Sequence, residues 1–103
     1  MINKHILYLG LNDKDTKMQK YDQIEAYKIV TNILAKDFGG GTIFSAQGIY
    51  THDDGTIVIE NTLRIEILFS DDAKIKVLVE ELKKIFNQEC IAVESSRINS
   101  KLM

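Results

Sequence analysis

The chain has 103 residues, 45% of them apolar and 27% charged, a net charge of −2 and no proline. This length supports one domain around one core, and the apolar share with low net charge excludes a disordered chain. Thirteen basic against fifteen acidic side chains is the wrong balance for a general nucleic-acid binder, which needs cationic excess to displace counterions. The single cysteine, Cys90, excludes an internal disulfide and a multi-cysteine zinc site.

The first predicted element covers residues 4–11, "KHILYLGL", short and apolar on both faces, as a buried strand is. Only seven uncharged residues separate His5 from Asp13, too few for a signal-peptide core. The longest run free of charged residues, Phe38 to His52, is broken by glycines and polar groups. A soluble, cytoplasmic protein without membrane partners is therefore expected. Residues 12–21 break the strand with charge. Asp22 is placed to cap a helix over residues 23–37, with Glu25 three positions later. Ile24, Tyr27, Val30, Ile33 and Leu34 mark its expected buried stripe.

The glycines of "KDFGGGTIF" follow that helix and lead into a strand. A phosphate-cradling loop has the opposite polarity, strand first and helix second. Gly39 reads instead as a left-handed helix end, with Gly40 and Gly41 as slack. The next strand runs over residues 42–51, and "HDDG" makes a hairpin loop. The returning arm, residues 56–69, alternates at period two through Leu63, Ile65, Ile67 and Phe69. Such arms exceed a typical strand, so an apolar hairpin tip is expected to project beyond the helices. Ser70 or Asp71 caps a second helix with Ile75, Leu78, Val79, Leu82 and Ile85 inward, and Lys83 and Lys84 suit its negative end. "ECIAVES" closes the domain as a strand. The expected domain is 1–96, with 97–103 as a tail.

Strand, helix, strand, strand, helix, strand, joined by right-handed crossovers, is the α+β ferredoxin-like βαββαβ plait. It is expected to have a four-stranded antiparallel sheet, both helices on one face and an extended hairpin. Its open face, carrying Ile6, Tyr8, Arg64, Glu66 and Leu68, is expected to be covered, like the hairpin, by other copies of the chain.

Recognisable catalytic motifs are missing. "NDKDTK" lacks the central glycine of a calcium loop, and the twelfth position from Asp13 is Ile24. His52 with Asp53 and Asp54 reads as a turn. His5 reads as a surface or edge histidine, and Cys90 as a small buried hydrophobe. No catalytic residue, metal ligand or cofactor is assigned. The best binding candidates are Arg64 and Glu66, mid-strand charges that need partners, with Tyr8, Tyr50 and Gln47 around them.

The segments "LYLGL", "GGGTIFSAQGIYTHDDGTIVIENTLRIEILF" and "FNQECIAV" together resemble a family of short bacterial and phage proteins of uncharacterised function with a PII-like plait. The resemblance implies a homo-oligomer, dimer or trimer, that binds a nucleotide or other small anionic ligand in clefts between subunits. One alternative is a phage or mobile-element protein that inhibits a host protein or sequesters its signal nucleotide. A small cofactor-free enzyme resembling the plait monooxygenases is a second.

Overall fold

A computed structural model describes residues 1–103. The elements are β1 (Ile2–Gly10), α1 (Gln23–Asp37), β2 (Thr42–Thr51), β3 (Ile57–Leu68), α2 (Asp72–Phe86) and β4 (Ala92–Ile98). They form one antiparallel sheet in the order β2-β3-β1-β4. This is the α+β plait expected from the element order.

Both helices begin on aspartate caps. Asp22 accepts from the amide of Glu25 and Asp71 from that of Ala73, each satisfying a donor the first turn leaves unpaired. Helix α1 ends at Asp37, with Phe38 as its C-terminal cap. Gly39 then takes φ +73°, and the amide of Gly40 returns to the Leu34 carbonyl. The glycines therefore shape a corner, as their position after a helix predicts.

The core lies between the helices and one sheet face. Leu7 and Leu9 of β1 meet Leu63, Ile65 and Ile67 of β3, with Leu11 just past the strand. Helix α1 contributes Ala26, Val30 and Leu34. Its buried stripe is rotated from the expected one, because small Ala26 faces the sheet while Ile24 and Tyr27 are exposed. Helix α2 buries Ile75, Leu78, Leu82 and also Phe86, whose ring meets Tyr21 edge-on at 5.3 Å. Each fully buried side chain of this size contributes about 1.5–3 kcal/mol relative to exposure.

Three further expectations are corrected. His5 is buried, not on the surface. It lies on central strand β1, where Nε2 donates to Asp72 Oδ1 at 2.6 Å and Nδ1 lies 2.5 Å from Ser70 Oγ. Long-range contacts across 65 and 67 positions leave no trace in local sequence. Cys90 is exposed, because it precedes β4 instead of opening it. Strand β4 also continues through Ile98, two residues into the segment expected as a tail.

The β2–β3 hairpin is continuous across Glu60 and Asn61, so no break shortens its arms. The molecule measures 46 × 25 × 23 Å. Ile49, Ile57 and Ile59 near the tip remain 72%, 67% and 60% exposed. No helix is long and apolar enough to cross a membrane.

Candidate functional site

The strand register assigns the five sequence-predicted binding residues to three places. Tyr8 pairs with Arg64, which pairs with Phe44 on the other side. Glu66 lies two positions along β3, so Tyr8, Arg64 and Glu66 share the open face. Arg64 Nη1 donates to Glu66 Oε2 at 2.7 Å, and Lys4 Nζ approaches Glu66 Oε1 at 3.6 Å. The Arg64 guanidinium also sits 5.3 Å from the Phe44 ring centre. Its proton is held more tightly than usual, first by the neighbouring Tyr8 hydroxyl and then by Glu66, with burial opposing. The Arg–Glu pair thus satisfies itself within β3. Gln47 has the opposite strand parity and lies on the other face. Tyr50 shares the open-face parity but stands six residues from Phe44, roughly 20 Å along the strand.

Tyr50 instead lines a cleft of about 440 Å³ where the hairpin passes the β1–α1 and α2–β4 loops. Its hairpin wall carries Tyr50, His52, Val58 and Glu60, the two rings meeting edge-on at 5.3 Å. Its loop wall carries Asn12, Lys14, Lys17, Gln88, Glu89 and Cys90.

The Glu60 carboxylate lies flat across β1. A Cβ at Gly10 would come within 2.5 Å of Glu60 Oε1, so a larger residue there would push the carboxylate off its seat. The Asn12 amide donates to Glu60 Oε2 at 3.0 Å. On β2 the residue opposite Glu60 is Gly48, where a Cβ would meet Thr62 Oγ1 at 2.8 Å. Glycines on the two strands that flank β3 therefore leave a shallow floor on either side of Glu60, with its carboxylate over Gly10.

The loop wall is held by Asp13. Its Oδ1 accepts from the amides of Asp15 and Thr16 and from Asn87 Nδ2. These bonds favour the charged form and lower its pKa, the Asp15 and Thr16 amides first, with burial opposing. Asn87 ends α2 in a left-handed conformation, its carbonyl accepts from the Lys14 amide, and Gln88 Nε2 donates to the Asn12 carbonyl at 2.6 Å. The segment that failed as a calcium loop is thus a strut between the helix end and the cleft. Glu60 and the two lysines escaped sequence reasoning because each comes from a different segment. The glycines at 10 and 48, inside strands where glycine is disfavoured, were the available signal.

No family model and no curated protein matches this chain. Among solved structures it is similar to a phage SAM lyase in complex with S-methyl-5'-thioadenosine, at TM-score 0.70 and 26% identity, covering 92% of this chain and 80% of that one. It is also similar to a phage SAM lyase in the apo state, at TM-score 0.66 and 22% identity, covering 91% and 78%. The second likeness carries the fold alone.

Proposed function

We propose that this chain binds S-adenosylmethionine in the cleft between the hairpin and the loop wall, and cleaves it to S-methyl-5'-thioadenosine. The observation that carries the reading is the likeness to a phage SAM lyase holding that thioether. The cleft's chemistry supports it. The aromatic pair Tyr50 and His52 offers a face and an edge to a purine. The seated Glu60 carboxylate is an anion suited to a sulfonium.

Cleavage breaks the bond between sulfur and the γ-carbon of the methionine chain. Its electron pair passes to sulfur, which becomes the neutral thioether. The ligand's own carboxylate closes on the γ-carbon as a lactone, so the balance needs no added reactant. Opposite charges annihilate in this step, and a site that excludes water favours it. The expected ligand therefore changes from a nucleotide anion to an adenosyl cation.

The same reading places further copies of this chain over the hairpin and open face. Ile49, Ile57 and Ile59 near the hairpin tip, with Phe44, Leu68 and Tyr8 on the sheet, are exposed apolar groups of the kind that marks an interaction surface. A copy seated beside the hairpin would close the cleft, in keeping with a ligand site at a subunit junction.

The test is incubation with S-adenosylmethionine followed by chromatography. Appearance of S-methyl-5'-thioadenosine, abolished or strongly reduced in Glu60→Gln, is expected. Binding without cleavage would remove the lyase half and leave a sequestering protein. No binding at all would end the proposal.

A further inference from the structure

We infer that Lys17 and Glu89 on the loop wall recognise the amino-acid end of the ligand, so the cleft selects adenosyl amino acids over truncated thioethers and nucleotides. This rests on the adenosyl reading above, and extends it to parts of the ligand which S-methyl-5'-thioadenosine lacks.

The charges of the cleft complement those of the ligand. The cleft brings together Lys14, Lys17, Asp13, Glu60 and Glu89. A polyphosphate would need a cationic excess, and two lysines against three carboxylates give none. S-adenosylmethionine carries one anion, its carboxylate, and two cations, its ammonium and its sulfonium. Asp13 is engaged within its own loop, accepting from Asp15, Thr16 and Asn87. That leaves two carboxylates, Glu60 and Glu89, for two ligand cations, and lysine for the one ligand anion.

The placement of the charges matches this count. Glu60 rises from the same arm as Val58, and its carboxylate is seated at Gly10 and the Asn12 amide, where the hairpin meets the loop wall. Lys17 and Glu89 belong to the other wall, where an amino-acid tail extending away from a purine would lie. Lys17 is also held in place. Its Nζ donates to the Lys14 carbonyl at 2.6 Å, leaving two of three donors for a ligand. Its backbone has φ 63°, and its amide donates to the Asp13 carbonyl. Through Lys14 and Asn87 this turn is anchored to the end of α2. A lysine on an anchored turn loses less freedom on binding than one on a free loop.

Calorimetric titration of the intact protein with S-adenosylhomocysteine and with S-methyl-5'-thioadenosine tests the inference. The first ligand has the amino-acid end and the second lacks it. The wild type is expected to bind S-adenosylhomocysteine about a hundredfold more tightly, a factor of about ten from each of two charge-assisted hydrogen bonds. Lys17→Met and Glu89→Gln should each remove about one such factor of ten for S-adenosylhomocysteine and leave S-methyl-5'-thioadenosine unchanged. Lys17→Arg, which keeps the charge, should retain the preference, and added salt should erode it. Equal affinity of the wild type for the two ligands, or equal losses in the variants, would overturn this inference alone. Failure of the wild type to bind either would overturn the adenosyl reading and this inference with it.

Discussion

The two ends of the β2–β3 hairpin are built from the same alternating pattern and have opposite fates. Near Leu63, Ile65 and Ile67 the odd-numbered side chains enter a dry core under two helices. Near Ile57 and Ile59 side chains of the same parity stand in solvent, because both helices have ended. Strand periodicity sets which face a residue takes, and the length of the covering helices sets whether that face is buried. The apolar pattern alone cannot distinguish a core from an interface, since both need the same residues.

Substitutions at the two ends sharpen that contrast. The largest loss is expected at the core. Phe86→Ala should cost about 3–5 kcal/mol in urea unfolding, through lost transfer energy and the cavity left behind. His5→Ala comes next, at about 1–3 kcal/mol, because it strips Ser70 and Asp72 of a shared partner. A smaller change would show that Ser70 and Asp72 find water in its place. Gly10→Ala should cost less, about 1 kcal/mol or below, as the new methyl only pushes the flexible end of Glu60 off the Asn12 amide. Its distinguishing mark is a lost ligand signal in a still folded protein.

At the hairpin tip the pattern should invert. Ile57→Ser combined with Ile59→Ser should change the stability of the single subunit by less than about 0.5 kcal/mol. It should nevertheless reduce the mass measured by light scattering. A wild type that is monomeric at micromolar concentration would break the comparison, making the tip merely exposed. The smallest effect concerns pH. Asp13 has its pKa lowered in the folded state, so its contribution is present above the ordinary carboxylate value of 3.8 and lost as pH falls through the lower folded value. Protonation of Asp13 below about pH 4 should therefore loosen the loop wall, read as faster hydrogen exchange of the Asp15 and Thr16 amides.

Much of the fold was legible along the chain. Helix α1 and strand β2 occupy the residues that capping and periodicity predict, and the turn after Asp37 follows from glycine at a left-handed position. Local rules suffice there because caps, turns and alternation are settled within a few residues. The candidate site was legible only in fragments. Arg64 and Glu66 were visible as charges within an apolar strand, yet they satisfy each other on the open face. Tyr50 was visible, but not Glu60, Lys17 or Glu89, which meet it only across folded segments.

By itself, then, the sequence determined the plait, its element order, its hairpin and the parity of strands β1 and β3. Tertiary structure decided that His5 is buried between Ser70 and Asp72, and that Gly10 and Gly48 floor a seat for Glu60. It also decided that the charged loop after β1 stands as the wall of a cleft. The physical reason is range. Backbone preferences and periodicity act over neighbouring residues, whereas burial, ion pairing and cleft formation depend on which distant segments the sheet order brings side by side.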